Sequence, residues 1–311
     1  MSMRLEANCK SGTCRRSRQW GWMGIAYVSP DVESPSRADP VSALPRLEAI
    51  VSVASVTWKE WAAFRSHMAV SLLTGPLRFL VMTWIWTATA SSSGVTAGMT
   101  TDDLVAYSGL AILVGYAIFD FADWNLQMLV RTGAYANHLL QPMHHAWYAL
   151  SQKLGHRALA MLIEAFPVWI LVSLFLGRPL VPRHPGWFAL SVAIGFLLMF
   201  VVNYASGLVG FWLVRAEGVR RCVVLVRDLL GGAMLPLSFF PATLQSLLFL
   251  TPYPWALYVP LRLGSGDVDI AGRILSPASA VVLQGAALVV ALAVVSGLDA
   301  WARRRFLAAG G

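Results

Sequence analysis

Two charged side chains stand inside apolar stretches of the sequence: Arg78 in "GPLRFLVMTW" and Glu164 in "ALAMLIEAFPVW". A charge at the centre of a membrane helix costs about 2.5–3.5 kcal/mol on insertion scales, so it needs an opposite charge or contact with water. Arg78 and Glu164 could form a buried charge pair, Arg78 could reach the membrane surface, or both could line a substrate path that attracts cations. The sequence leaves these interpretations open.

The motifs that would indicate catalysis or a bound metal are missing from the sequence. His138, His144 and His145 lie close together, but no two histidines stand four residues apart around a glutamate, as a helical zinc site requires. The three cysteines lack the second pair of a zinc site. No G-x-S-x-G elbow surrounds a serine. The sequence therefore predicts no metal and no catalytic residue.

The sequence also does not predict nucleotide hydrolysis by this chain. A phosphate-binding P-loop needs a glycine directly before its lysine, so that backbone amides can surround the phosphates. The lysines of this chain are Lys10, Lys59 and Lys153, and none follows a glycine. If ATP is used, it is bound by another subunit and not by this chain.

The composition indicates a membrane protein. Of the 311 residues, 57% are hydrophobic and 13% are charged, and the mean hydropathy is +0.61. Soluble domains contain about 25% charged residues. The net charge of +8 need not indicate nucleic acid, because arginine collects on the cytoplasmic loops of membrane proteins.

Six apolar segments predict an all-α integral membrane domain at residues 50–306, followed by a short tail at 307–311. The segments are about 69–91, 103–126, 156–177, 186–213, 219–238 and 275–299. Each has roughly twenty residues, enough to cross a 30 Å hydrocarbon layer. Residues 1–49 are basic and then rich in Pro, Ser and Asp, which predicts a disordered extension.

The stretch "VTWKEWAAFRSHM" precedes the first segment and has amphipathic spacing. Trp58, Trp61, Phe64 and Met68 recur at steps of three or four residues. This pattern predicts a helix that lies in the membrane interface. The alternative is that it simply begins the first span.

Basic residues are distributed unequally between the connections of the six segments. Ten lie on one side: Arg131, Lys153, Arg157, Arg215, Arg220, Arg221, Arg227, Arg303, Arg304 and Arg305. Four lie on the other side: Arg178, Arg183, Arg262 and Arg273. Because Lys and Arg collect on the cytoplasmic side, both termini are predicted to be cytoplasmic. Asp120 and Asp123 lie near this inner side, with Arg227 as a candidate partner.

The stretch "LPLSFFPATLQSLLFLTPYPWALYVPLRLG" is apolar but repeatedly interrupted by proline. Proline cannot donate a backbone hydrogen bond, and bare carbonyl groups are unfavourable in lipid. The pieces between prolines are too short to cross, so they predict short re-entrant helices on the outer side. The residues of this outer re-entrant segment are Pro236, Phe239, Phe240, Pro241, Pro252, Pro254, Tyr258 and Pro260.

Two stretches resemble the six-span permeases of type 2 ABC exporters, in the small bacterial subfamily encoded as pairs. The first is the outer re-entrant segment after a fifth span. The second, "VRTGAYANHLLQPMHHAWY", is similar to the family's ATPase-coupling segment, with a basic residue, a glycine, Leu-Leu and proline. The matching residues are Arg131, Gly133, Leu139, Leu140 and Pro142. Ala134 and Gln141 stand where the family often has an acidic and a basic residue.

The resemblance covers residues 56–306 and implies the transmembrane permease of an ATP-driven exporter in the bacterial inner membrane. It implies a cytoplasmic ABC ATPase that binds the ATP, and a second permease copy or paralogue that completes the substrate path. A secondary carrier driven by an ion gradient is the alternative. Such carriers usually contain internal repeats and spans interrupted near mid-membrane, and the sequence has no convincing repeat.

Overall fold

Helices make up most of the computed structural model, which describes residues 47–309 except 64, 91–94, 97, 98, 142 and 214–216. The first half contains α1 (Leu47–Ala63), α2 (Arg65–Ala90), β1 (Val95–Thr96), β2 (Met99–Thr100), α3 (Thr101–Ile118), α4 (Ala122–Arg131), α5 (Tyr135–Leu139), α6 (His145–Ala160) and α7 (Phe166–Leu176). The second half contains α8 (Pro185–Leu208), α9 (Glu217–Leu230), α10 (Ala242–Leu248), α11 (Pro252–Ser265), β3 (Val268–Ile270), β4 (Arg273–Leu275) and α12 (Pro277–Ala309). Each strand pair forms a short antiparallel hairpin.

Four helical stretches are long and apolar enough to cross a membrane: Thr101–Arg131, His145–Leu176, Pro185–Phe211 and Pro277–Arg304. They correspond to the second, third, fourth and sixth predicted segments and confirm a mainly helical membrane protein. The third helix begins at His145, well before the predicted start at 156, and a π-helical turn at Met161–Ala165 joins α6 to α7. In the part of the chain that the structure describes, α2 and α9 are not among these four.

The predicted extent of the fifth segment, about 219–238, is wrong. Helix α9 ends at Leu230 and is 14 residues long, which corresponds to about 21 Å. Two glycines, Gly231 and Gly232, follow directly and end the helix, although the chain stays apolar beyond them. A hydropathy window cannot detect this end, because it averages over the glycines.

Helix α9 runs antiparallel to the helices of the second segment. Three contacts show this direction. Arg220 binds Asp123 (Nε–Oδ2 3.0 Å), and the guanidinium of Arg227 lies over the ring of Phe119 (4.4 Å to the centroid). The Tyr107 hydroxyl then donates to the Gly232 carbonyl (2.6 Å). The chain therefore travels from α4 to the first turns of α3 between residues 220 and 232.

The second segment is interrupted between α3 and α4. Residues 119–121 are not helical, and side chains satisfy backbone groups that the break frees. The Asp120 carboxylate accepts the Ala122 N–H (2.7 Å), and Arg157 donates to the Tyr116 carbonyl (2.9 Å). Such partners are required because unpaired backbone groups are costly away from water.

The prolines of the outer re-entrant segment separate two short helices, α10 and α11. The Ala256 carbonyl of α11 lies against Gly195, where a Cβ would come within 2.5 Å of the oxygen, so only glycine fits there. Gly195 is ten residues into α8, about 15 Å along its axis. At the other end of α11, the Gly264 carbonyl accepts the Arg183 N–H (2.9 Å), just before α8 starts. Helix α11 therefore runs from the middle of α8 back to the start of α8.

Helix α8 lies at the centre of the packing and contacts α3, α4, α11 and α12. One buried amide joins three of these helices. The Ser191 hydroxyl of α8 donates to Gln284 Oε1 of α12 (2.7 Å), while Gln284 Nε2 donates to the carbonyls of Ser191 (3.0 Å) and Trp255 (2.9 Å). Gln284 therefore satisfies all of its main hydrogen-bonding groups without water.

Helix α1 covers much of the predicted amphipathic stretch and packs along α6. It begins at Leu47, three residues before the predicted domain boundary at 50, while residues 1–46 lie outside the described residues. Trp58 is half-buried, and the side chains of Trp61, Phe64 and Met68 also lie outside the described part. The place of this helix in the membrane interface stays a prediction.

Replacement of Gln284 by methionine should destabilise the packing of α8, α11 and α12. Interhelical hydrogen bonds in membranes contribute about 0.6 kcal/mol each on average, so the loss of three should cost roughly 2 kcal/mol. The thermal unfolding midpoint of the purified chain in one detergent measures this. Val290→Met, at an exposed position of the same helix, is the control and should leave the midpoint unchanged. Equal midpoints for the parent and Gln284→Met would contradict the importance of this contact.

Candidate functional site

The residues that match the coupling pattern lie around the connection between α4 and α6. Arg131 is exposed at the last position of α4, and Gly133 has a φ of +73° in the following turn. Such a φ favours glycine, because a Cβ would clash with the neighbouring carbonyl oxygen. Gly133 therefore sets the direction in which α5 leaves α4.

Helix α5 has a buried side and an exposed side. Tyr135 is almost fully buried, and its ring packs edge-on against Phe211 (5.0 Å between centroids). Leu139 and Leu140 are instead 40% and 87% exposed. Pro142, the last residue of the predicted pattern, lies outside the described residues. The connection therefore exposes two neighbouring apolar side chains next to a buried aromatic ring.

Burial favours the neutral forms of Tyr135 and His138, the two ionisable side chains of α5. Burial raises the pKa of Tyr135 to about 12, with a further increase from the Asp299 charge. Burial also lowers the pKa of His138 below its ordinary value of 6.5, although a hydrogen bond with Gln141 (Nδ1–Oε1 3.2 Å) acts in the opposite direction. At neutral pH both side chains are therefore uncharged, and this face of the connection is mainly apolar.

A polar network joins the end of this connection to α8 and α12. Asp299 Oδ2 lies 3.1 Å from His144 Nε2 and 3.0 Å from Arg303 Nη2, and Asp299 Oδ1 accepts the Tyr204 hydroxyl (3.2 Å). The Tyr204 hydroxyl is also 3.3 Å from Nδ1 of His145. Three separate segments of the chain therefore meet at one carboxylate.

The histidines that raised the question of a metal pack against aromatic and polar side chains. The ring centroids of His138 and His145 are 4.9 Å apart, and His138 also packs against Tyr148. Among the residues that the structure describes, no group of three or more His, Cys, Asp or Glu side chains could hold a metal ion.

The residues of the outer re-entrant segment lie along α10, α11 and the turn before them. Pro241 caps α10, Pro252 begins α11, and Pro254 and Pro260 are buried within α11. Phe239 packs against Trp86 (5.9 Å between ring centroids). The remaining members are Pro236, which is buried, Phe240, which is half-buried, and Tyr258, which is buried and donates a hydrogen bond to the Asp269 carbonyl (3.2 Å).

Arg78 and Glu164 form no ion pair with each other in the part of the chain that the structure describes. Arg78 is exposed on α2, and Glu164 is half-buried in the π-helical turn before α7. Both lie close enough to Tyr116 to interact with its hydroxyl electrostatically. A role for either residue in a substrate path stays a prediction.

Other charged residues have partners or positions that the sequence did not reveal. Asp123 binds Arg220, whereas Arg227, the expected partner, binds Asp228 (2.9 Å). Lys153 and Arg157 were counted on a connection, but both lie on α6, where Lys153 is only 6% exposed. The partners of these charged side chains depend on how distant segments of the chain pack together. The amino-acid composition does not reveal this packing.

The sequence interpretation missed Tyr135, Tyr204 and Asp299. Asp299 has a detectable signal: it is an acidic residue at the end of an apolar helix, four positions before Arg303. Such a charge requires a partner, and the i, i+4 spacing provides one. Tyr135 and Tyr204 have no comparable signal, because a tyrosine in an apolar helix is common.

Gly133→Ala should loosen the connection between α4 and α5. No atom lies within 4 Å of a Cβ built at Gly133, so the cost is backbone strain alone, about 1–2 kcal/mol for a left-handed residue. Amide hydrogen exchange of residues 133–141 should accelerate roughly 5- to 30-fold. Gly218→Ala is the control, because Gly218 also has free space but no left-handed backbone. Unchanged exchange in Gly133→Ala would contradict the strained turn.

Comparison with known proteins identifies the family of the chain. A family model described as "ABC-2 family transporter protein" matches residues 77–300, which is most of the chain. Comparisons with curated proteins and with solved structures gave no match. The resemblance to type 2 ABC permeases is thus confirmed at the level of the family, whose members are membrane components that associate with an ABC ATPase. The chain belongs to the ABC-2 transporter family.

Proposed function

We propose that this chain is the transmembrane permease subunit of an ATP-driven exporter in a bacterial inner membrane. A second permease copy or paralogue completes the substrate path, and a separate cytoplasmic ABC ATPase binds and hydrolyses the ATP. The observation that carries the proposal is the exposed pair Leu139 and Leu140 on a connection whose other side is anchored by Tyr135.

The docking surface consists of Leu139 and Leu140 on the connection between α4 and α6. Tyr135 holds α5 against α6 and the end of α8, so the two leucines project from a fixed base. Burying one leucine stabilises a contact by roughly 1.5–3 kcal/mol, which corresponds to a ten- to hundredfold change in affinity. Ala134 and Gln141 add no charge here, so the contact with the ATPase is mainly apolar.

The proposed topology has six crossings, with α2 and α9 as the first and fifth. Helix α2 has 26 residues, about 39 Å, which exceeds a 30 Å hydrocarbon layer. Helix α9 is shorter, but its contacts with the second segment extend from Asp123 to Tyr107. The chain from 220 to 232 rises about 18 Å if it is helical throughout, which is more than half of a 30 Å hydrocarbon layer.

An even number of crossings agrees with the charge distribution, with both termini in the cytoplasm. The docking surface then lies on the cytoplasmic side, as contact with an ATPase requires. The outer re-entrant segment lies on the opposite side, where α11 extends from about 15 Å along α8 back to the start of α8. Its buried side chains close the outer end of the path between the helices.

ATP-driven closure of the ATPase pair would push on the docking surfaces of both permeases. Because α5 is anchored to α6 and α8, the push would move these helices as a body and switch the path from inward to outward access. To move the spans in this way, the docking surface must be rigidly linked to them.

Leu140→Asp should prevent retention of the ATPase. The change replaces an exposed apolar side chain by a carboxylate that docking would desolvate, and it lies outside the hydrocarbon layer, so insertion should be normal. Co-purification of the ATPase with a tagged permease should fall at least tenfold, and ATP hydrolysis in the purified fraction should fall with it.

Asn137→Asp is the matched control, because it adds the same charge at an exposed polar position of α5, the helix that Leu140 caps. This variant should retain most of the ATPase. If Leu140→Asp retains as much ATPase as the parent, the docking surface is assigned incorrectly.

The topology is tested with reporters fused after Gly311. A fluorescent protein that folds only in the cytoplasm should give a signal, and a phosphatase active only in the periplasm should not. The basic residues favour a cytoplasmic C-terminus by ten against four, or by eight against four when Lys153 and Arg157 on α6 are left out. A signal from the phosphatase alone would exclude the six-crossing arrangement.

A further inference from the structure

Asp299, on α12, joins α8 to the end of the connection between α4 and α6, which we call the coupling connection. Only 4% of the residue is exposed, and its two oxygens contact His144 before α6, Tyr204 on α8 and Arg303 on α12. No other carboxylate in the described part of the chain contacts three segments in this way. The site is distinct from the exposed docking surface, which lies on α5.

His144 contributes to two structures at once. Its Nδ1 accepts the N–H of Ala146 (3.1 Å) and so caps α6. A neutral imidazole with an accepting Nδ1 carries its hydrogen on Nε2, which faces Asp299 Oδ2. The ring that fixes the first turn of α6 is therefore the ring that binds α12.

A continuous series of contacts leads from the docking surface to Asp299. Tyr135 and His138 lie on the same short helix as Leu139, and both of their rings pack against His145 (5.5 and 4.9 Å between centroids). His145 contacts the Tyr204 hydroxyl, which donates to Asp299. Movement of α5 thus reaches α8 and α12 through direct contacts only.

Stability alone explains this network poorly. Replacing buried ion pairs by well-packed apolar side chains is often neutral or stabilising, so a carboxylate with three polar partners adds little to the free energy of folding. What it does provide is a defined geometry, because each partner must approach a specific oxygen.

We propose that Asp299 is a positioning residue that fixes the coupling connection to α8 and α12, so that force on the docking surface moves these spans instead of bending the connection. This inference rests on the proposed function. The contacts assign the residue a role in transmission and not in ATPase binding, because Leu139 and Leu140 do not touch it.

The test measures ATPase retention and connection geometry separately in the full chain. Spin labels at Asn137→Cys and Leu292→Cys, both exposed positions, report the distance from α5 to α12 in lipid nanodiscs, after the native cysteines are changed to serine. The parent should give one narrow distance distribution. Asp299→Asn keeps the side-chain shape but removes the charge, and it should lose the narrow distribution while co-purifying the ATPase at the parental level.

Two further variants complete the design. His144→Asn preserves the cap of α6, since asparagine is a favourable N-cap residue, but it cannot reach Asp299 and should also broaden the distribution. Glu217→Gln removes the carboxylate of an exposed pair with Arg221 and should change neither measurement.

A narrow distribution in both Asp299→Asn and His144→Asn overturns the inference. Loss of the ATPase by Asp299→Asn at an unchanged distance overturns it as well, because Asp299 would then act in docking. If Asp299→Asn does not fold, the spin-label distance distribution of His144→Asn provides the test: a broad distribution supports the inference and a narrow one overturns it. If no ATPase co-purifies even with the parent, the proposed function fails. The spin-label distances between α5 and α12 would still show whether Asp299 positions the connection.

Discussion

In a bilayer, every backbone N–H and C=O that leaves a regular helix must find a partner within the protein. This constraint explains where the buried polar side chains of this chain lie. At the break in residues 119–121, the Asp120 carboxylate caps α4, Arg157 donates to a freed carbonyl, and Asn203 donates to the carbonyl of Asp120 (3.4 Å). In the outer segment, Gln245 donates to the Phe240 carbonyl (2.8 Å). At these two interruptions, buried polar side chains therefore lie where the backbone leaves its helix.

The central helix α8 connects the interruptions to each other. Near its N-terminal end α8 meets α11, and Gln284 joins both to α12. Near its C-terminal end Tyr204 contacts His145, at the start of α6, and Asp299. One continuous helix therefore carries both groups of contacts, as the proposed transmission between them requires.

The helices that follow long apolar runs could be predicted from the sequence, but several ends and partners could not. Lys153 and Arg157 lower the local hydropathy, so the first half of the third helix was taken for a connection, although Lys153 is buried and Arg157 is half-buried. The end of α9 depends on two glycines within an apolar run. The partner of Asp123 is Arg220, almost one hundred positions away, and only the packing of α9 beside α4 brings the two together. The exposed Leu139 and Leu140 were found because the motif itself is local.

The contacts at the two ends of α8 differ in how easily they can be exchanged. Those of Gln284 are neutral hydrogen bonds, fully enclosed, and breaking them leaves polar groups with no access to water. Those of Asp299 involve His144 and Arg303, whose side chains remain 30% and 38% exposed, although Asp299 itself is almost fully buried. Separation of these partners would leave a buried carboxylate unpaired, which is costly even though water can solvate the other two side chains. Both groups of contacts therefore hold α8 to its neighbours, the Gln284 group more firmly, and the Asp299 group still provides the fixed link that transmission along α8 requires.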